Sequence, residues 1–312
     1  MTTTGTSIFE TRRRDRLTTH LREKKIAFVG AGAIAEALIK GMCSTGIAKA
    51  ERIFVINRNR RERLEFLART YGVRASTADV AADGADVVVL CPKPADMTQA
   101  LTDIARFSAP DALYISVAAG CSIGWIQETL SLAWRESARG ADAARPRVAR
   151  TMPNTSCAVL ESATGYAMGQ NCTLQDSEMV HEMFGAVGTA YALDEEQMNA
   201  VTGLSGSGPA YVYYLVEGLI KAGVAVGLDE DTASALVVQT LVGAASMLRF
   251  SGQTPTALRE RVTSPGGTTM AGIAALQELG FHGALREAVL RATERAEQMG
   301  EQLSETKKTQ NM

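Results

Sequence analysis

From Lys25 onward, short apolar runs alternate with stretches of helical periodicity. Ile26-Ala27-Phe28-Val29 predicts a strand and Ala33 to Cys43 a helix; Ile53-Phe54-Val55-Ile56 predicts a second strand and Arg60 to Tyr71 a charged amphipathic helix. Val87 to Leu90, Leu113 to Val117 and a short run near Val148 continue the series. Strands that are apolar throughout, with helices between them, imply a parallel sheet covered on both faces. Ala163 to Met168 and Thr189 to Leu193 are expected to add edge strands, with a helix around Glu178 to Phe184 between them. Ser137 to Pro146 reads as a solvated surface loop.

After Asp194 the strand signals stop. Pro209 to Ala222 is helical, with Ser207-Gly208-Pro209 suited to a cap and first turn. Asp229 is expected to cap a helix running to Phe250, with Glu230 and Asp231 in its first turn, where the helix dipole favours negative charge. That helix is apolar nearly all round, so neighbours must bury it. A helical region of this size has few layers of its own to do so, and a second subunit is inferred. The final helix, Phe281 to about Gln302, carries a single apolar stripe.

Composition narrows the class. The 312 residues are 46% apolar and 21% charged, and 32 basic against 34 acidic side chains leave a net charge of −2. Wholesale disorder is excluded, and nucleic acid is not expected as a partner, because phosphate binding needs a basic excess. No apolar run approaches the ~20 residues of a membrane span, so no membrane association is expected. Five scattered cysteines, without a Cys/His cluster, fit reduced thiols in the cytoplasm and no metal site. Residues 1–24 read as a flexible basic arm built around Arg12, Arg13, Arg14 and Arg16; a transit peptide is disfavoured by Glu10, Asp15 and Glu23.

Gly30-Ala31-Gly32-Ala33-Ile34-Ala35 follows the first strand and opens the first helix. Gly30 suits the tight turn, Gly32 lets backbone approach a pyrophosphate, and Ala35 lets helix and strand pack closely. The helix tip then offers free N–H groups to the phosphates. The plainer alternative is a turn that serves packing only. Where an NAD site places a carboxylate after the second strand, this chain has Asn57 and Arg58, which suit the 2′-phosphate of NADPH. Lys93-Pro94 and Val117-Ala118-Ala119-Gly120 end further strands at the same sheet edge. Lys93 is placed to reach a phosphate or ribose, and small Ala118 and Ala119 leave room for a flat nicotinamide.

A second glycine-rich turn, Ser264-Pro265-Gly266-Gly267-Thr268-Thr269, precedes a helix expected from Met270 to Leu279. The same physics makes it an anion site, and a substrate carboxylate is the natural occupant. The competing reading is a helix whose Ser and Thr cap their own backbone. His20, His181 and His282 are the only histidines, and none lies in a motif. Alcohol oxidation needs a strong acid or base. Reducing a cyclic imine demands less, since the nitrogen can arrive protonated and a nearby hydroxyl suffices.

Val262-Thr263-Ser264-Pro265-Gly266-Gly267-Thr268-Thr269 with Gly272-Ile273 and Leu276-Gln277 resembles the signature of the pyrroline-5-carboxylate reductases. Val201 to Tyr211, Met152-Pro153-Asn154-Thr155, Lys93-Pro94 and Ala118-Ala119-Gly120 extend the resemblance over about Lys25 to Met299. Cys91-Pro92, Ser156 and the N-terminal arm depart from the family's usual pattern.

The resemblance implies a Rossmann-like doubly wound sheet followed by an all-α dimerisation domain, and NAD(P)H-dependent reduction of pyrroline-5-carboxylate to L-proline. It implies cofactor along Gly30, Ala31, Gly32, Ala33 and Ile34, with NADPH expected and NADH possible. The nicotinamide would lie near Ala118, Ala119 and Asn154. Ser264, Gly267, Thr268 and Thr269 would hold the substrate, with the Thr269 hydroxyl beside the ring nitrogen. It further implies an interlocked homodimer, often assembled into decamers. The expected domains are residues 25–194 for the cofactor and 195–303 for substrate and dimerisation, followed by a polar tail at 304–312. The rivals are a hydroxy-acid reductase, for which Lys221 is the candidate base, and a non-catalytic cofactor sensor.

Overall fold

A computed structural model describes residues 19–136 and 145–310. The Arg12 to Arg16 cluster and most of the Ser137 to Pro146 loop lie outside the described residues. The first elements are β1 (Ile26–Val29), α1 (Ala33–Thr45), β2 (Ile53–Ile56), α2 (Arg61–Tyr71), β3 (Arg74–Ala75), α3 (Ala78–Ala82) and β4 (Val87–Leu90). There follow α4 (Met97–Ala105), β5 (Leu113–Ser116), α5 (Ile123–Glu136), β6 (Arg147–Met152), β7 (Ser162–Met168), α6 (Leu174–Gly185) and β8 (Gly188–Ala192). The rest is helical: α7 (Met198–Val201), α8 (Gly208–Ala225), α9 (Glu230–Phe250), α10 (Pro255–Arg261), α11 (Thr268–Glu278) and α12 (Phe281–Gln310). The chain divides into a sheet unit, residues 1–198 and 298–312, and a helical unit, residues 199–297.

The sheet runs in the order β3-β2-β1-β4-β5-β6-β7-β8. Its strands alternate between two cores. Phe28, Val55, Val89 and Ile115 join α1, α2 and α6 on one face. Ala27, Phe54, Val88 and Tyr114 join α3, α4 and α5 on the other. Burial on both faces explains why these strands read as unbroken apolar runs. The order reverses at β1 and β4, so the carboxyl ends of those strands form a topological switch point.

Two expectations about the sheet change. β7 is an interior strand, and it runs antiparallel to β6. Only residues 153–161 join the two, too few for the dozen or more that a parallel crossover needs. β8 then pairs in parallel with β7 through α6 and forms the edge.

The arm is also shorter than expected. Residues 19–24 are anchored: Leu21 is fully buried and its N–H donates to Glu182, while Lys24 pairs with Asp86 at 3.0 Å. Leu21 had no periodic neighbours to reveal its burial. At the other terminus α12 continues to Gln310, into the expected polar tail, with Leu303 packed on the sheet unit's core.

In the helical unit, Asp229 caps α9 as expected, accepting from Thr232 N–H at 2.9 Å. Ser207 does not cap α8: a π-helical turn, Thr202–Gly206, runs into that helix and leaves Ser207 helical with no side-chain bond. The π turn packs against α12. A Cβ on Gly203 would sit 2.3 Å from Thr293 Oγ1, and Tyr211 Oη donates to the Gly203 carbonyl at 3.0 Å.

One helix escaped the count of apolar runs. Among the described residues, the 21-residue α9 is the one helix long and apolar enough to cross a bilayer. Scattered uncharged polar positions hid it from a count of unbroken runs. One of these, Thr240, satisfies its hydroxyl within the helix by donating to the Leu236 carbonyl at 2.7 Å.

Candidate active site

The sheet unit gathers Gly30 to Ile34, Asn57, Arg58, Lys93, Pro94, Ala118, Ala119 and Asn154 at the carboxyl ends of β1, β2, β4, β5 and β6. The glycine-rich turn is pinned from both sides. Gly30 N–H donates to the Ile56 carbonyl and Cys91 N–H to the Val29 carbonyl, each at 2.9 Å. Gly30 has φ +103°, and a Cβ there would meet the Cys91 backbone at 3.1 Å, so conformation and space both require glycine.

Gly32 is different. Nothing lies within 4 Å of the position its Cβ would take. It is the N-cap residue of α1, and no side chain caps that helix. First-turn amides, including those of Ala33 and Ile34, therefore have no side-chain cap to satisfy them. A diphosphate fits such a tip, because it brings acceptors to unclaimed N–H donors at the positive end of the helix dipole.

Asn57 Oδ1 accepts from the amides of Asn59 (3.1 Å) and Arg60 (3.0 Å), closing the turn into α2 and leaving its Nδ2 as the donor. Arg58 lies beside it and pairs with Asp103 of α4 at 3.1 Å, both side chains largely exposed. An exposed pair of this kind is worth about 0–1 kcal/mol, so a phosphate can displace Asp103 at little cost. Lys93 is exposed just before Pro94.

Ala118 is buried, with its N–H donating to Ser116 Oγ at 3.3 Å. Asn154 is buried too. Its backbone N–H donates to Ser162 Oγ at 3.2 Å, and its Oδ1 accepts from Ser156 N–H at 3.0 Å. Cys121, next along the chain from Gly120, is fully buried, and burial pushes its thiol up to about 12 against the pull of Arg150. It stays a neutral thiol.

Sequence reasoning missed one cluster behind the turn. Arg63 of α2 donates from Nε to the Ala31 carbonyl at 3.0 Å and from Nη2 to Glu36 of α1. Tyr71 Oη donates to the other Glu36 oxygen at 2.9 Å. Burial acts to raise the Glu36 carboxyl, but the bonds from Arg63 and Tyr71 and the guanidinium charge outweigh it and hold it below the ordinary carboxylate value. Burial and the hydrogen bond to Glu36 push the Tyr71 phenol up. The available signal was Glu36 itself, a carboxylate on a helix whose next turn is buried apolar surface.

The helical unit carries the second turn. Gly266 has φ +74°, and α11 starts at Thr268, two residues earlier than expected. Gly267 is its N-cap residue, and a Cβ there would fall 2.5 Å from Ser264 Oγ. No side chain caps α11, which removes the self-capping alternative. Thr268 and Thr269 are thus the first two helical residues, and with Ser264 they are exposed in the single chain. The turn presents hydroxyls and helix-tip amides together. A cavity in the same unit, lined by Arg259, Leu276, Gln277, Phe281 and His282, contains none of the predicted residues.

Comparison with known proteins settles the family. Residues 195–299 match a family model described as pyrroline-5-carboxylate reductase dimerisation, and residues 25–120 match NADP oxidoreductase, coenzyme F420-dependent. Pyrroline-5-carboxylate reductase 2 of Bacillus subtilis is 40% identical over 282 residues, covering 90% of this chain and 97% of that one. The chain belongs to the pyrroline-5-carboxylate reductase family. The enzyme of that name from Pisum sativum is 37% identical over 274 residues, covering 88% and 95% of the two chains. Among solved structures, the Coxiella burnetii reductase aligns with a TM-score of 0.79 at 31% identity, over 88% of this chain and 98% of that one. The Plasmodium falciparum reductase, solved with NADP bound, aligns with a TM-score of 0.75 at 30% identity, over 90% and 99%. The reductase family's dimerisation region thus covers all of the helical unit.

Proposed function

We propose that the two glycine-rich turns divide the family's reaction between them, the first holding the cofactor diphosphate and the second the substrate carboxylate. As a member of this family the chain reduces L-1-pyrroline-5-carboxylate to L-proline, the last step of proline biosynthesis, using NADPH. The observation that carries the division is that both turns open helices whose tips no side chain caps. NADPH, when bound, supplies the hydride.

Gly30 to Ile34 hold the diphosphate, Asn57 and Arg58 the 2′-phosphate, and Lys93 and Pro94 border the ribose. Ala118, Ala119 and Asn154 form the floor for the nicotinamide. Ser264, Gly267 and Thr268 hold the substrate carboxylate. Thr269 hydrogen-bonds the ring nitrogen, which keeps the proton it brought as the C=N bond becomes a secondary amine. NADH occupies the same site without the Arg58 contact.

The direct test is NADPH oxidation dependent on pyrroline-5-carboxylate, followed by its absorbance. Thr269→Ala should keep NADPH affinity and lose about tenfold or more in turnover, the low end for acid–base assistance because water can substitute. Unchanged turnover would remove Thr269 from the reaction. Oxidation of NADPH with hydroxy acids instead would favour the rival reductase, with Lys221 as its base.

The assembly we read is an interlocked homodimer in the cytoplasm, with α9 covered by the partner copy, and dimers gathered into decamers. Light scattering separates the two forms, since the masses are twice and ten times the 33.2 kDa of one chain.

A further inference from the structure

We infer that Arg63 is a positioning residue for cofactor binding, which sets the phosphate-binding turn before any ligand arrives. This rests on the proposal that the turn holds the diphosphate.

The Gly30-Ala31-Gly32 segment has glycine on both sides of one residue, so its backbone is intrinsically freer than that of a segment without glycine. The plane between Ala31 and Gly32 carries the Ala31 carbonyl at one end and the Gly32 N–H at the other. Peptide bonds are planar, and none among the described residues is cis. Fixing the carbonyl therefore fixes the amide, which points the opposite way. Arg63 Nε holds that carbonyl at 3.0 Å, toward α2. Gly32 N–H is thereby sent away from α2.

The guanidinium is itself held. Nη2 bonds Glu36, whose second oxygen accepts from Tyr71, and the Phe66 ring lies 5.1 Å away. Arg63 and Glu36 are each about three-quarters buried, with side-chain exposures of 28% and 26%. Such a pair is shielded from water, unlike the exposed Arg58–Asp103 pair. Glu36 sits on α1 and Arg63 on α2, so the clamp ties the helix that receives the diphosphate to the helix that begins at the 2′-phosphate segment.

The diphosphate is common to NADPH and NADH, so the clamp should act on both alike, whereas Arg58 should act on NADPH alone. In the purified full-length enzyme, Arg63→Gln should raise the Kd of both cofactors by the same factor, about tenfold for the loss of a charged hydrogen bond. The kinetic loss should fall on the cofactor KM rather than on kcat. Glu36→Gln should reproduce part of the effect, and Arg63→Lys, which keeps charge but not the forked geometry, should recover part of it.

A lower melting temperature with unchanged cofactor Kd in the folded variants would overturn the inference. So would a rise confined to NADPH, which would make Arg63 a 2′-phosphate ligand. If Arg63→Gln does not fold, the Lys and Glu36 variants carry the same readout. Gly32→Val is the control, because it fills the space in front of the helix tip. A Kd untouched by Gly32→Val would bring down the diphosphate site itself; a Kd raised by Gly32→Val but not by the clamp variants would bring down only the role of Arg63.

Discussion

The sheet unit buries its apolar residues within its own chain, and the helical unit leaves most of them in solvent. Along β1, β4 and β5 every residue is buried. Among the described residues of the helical unit, Ala233 and Ala296 are the only apolar side chains that are buried, while Leu236, Val238, Val242, Met247 and Phe250 of α9 are each at least half exposed. Leaving a large aliphatic or aromatic side chain out of a core forgoes about 1.5–3 kcal/mol. Five of them on one helix forgo as much as a whole domain's net stability of about 5–15 kcal/mol. The helical unit therefore reads as half of a core, completed by self-association, as its match to a dimerisation family requires. The same contrast holds for the two turns. The first is framed by strands and a partly buried ion pair, whereas the second has its hydroxyls open in the single chain.

The comparison is most easily broken at α9. Val242→Asp should abolish the oligomer and the activity with it, because burying an unpaired charge costs several kcal/mol. Size-exclusion chromatography with light scattering reads the mass. Leu174→Glu, at the most exposed large apolar side chain of the sheet unit (87%), should leave the mass unchanged, since the first turn of α6 favours an acidic residue. Loss of assembly from the second substitution, or its survival in the first, would undo the division.

A smaller effect is expected at the 2′-phosphate segment. Arg58→Asp should lower the ratio of kcat/KM for NADPH over NADH by about 10–100-fold, as expected for one charged hydrogen bond. Asp103→Asn should move the same ratio the other way by a few-fold, since only an exposed pair is released. A ratio that does not move in the first variant removes Arg58 from recognition.

The smallest effect concerns stability in alkali. The Cys121 thiol titrates near 9.0 in the unfolded chain and near 12 when folded, so between those values only the unfolded chain loses the proton. Stability is complete below pH 9 and falls above it, by up to about 1.4 kcal/mol per pH unit from this one group. Cys121→Ala should flatten that part of a urea-denaturation series. An unchanged slope would mean that another group dominates.

The first turn was legible because its chemistry is local: a strand, three small residues and a helix stand in sequence, and Gly30 makes the tight turn its spacing suggested. The second turn was legible as a motif, and only the helix start was misjudged, because α11 begins at Thr268 rather than Met270. The clamp was not legible, since Arg63 and Glu36 lie 27 positions apart and both read as ordinary helix-surface charges. Asp103 was missed for the same reason, standing 45 positions from Arg58.

The pattern of side chains by itself determined the order of strands and helices, the two glycine-rich turns at helix tips, the apolar character of α9 and the kinship to the reductases, because each depends on neighbours along the chain. Tertiary structure alone decided that β7 turns antiparallel, that Leu21 anchors the end of the arm, that Asp103 faces Arg58 and that Arg63 grips Ala31. Those outcomes depend on where the paired strands end and on which helices the sheet brings side by side. Neither is written in any local stretch of residues.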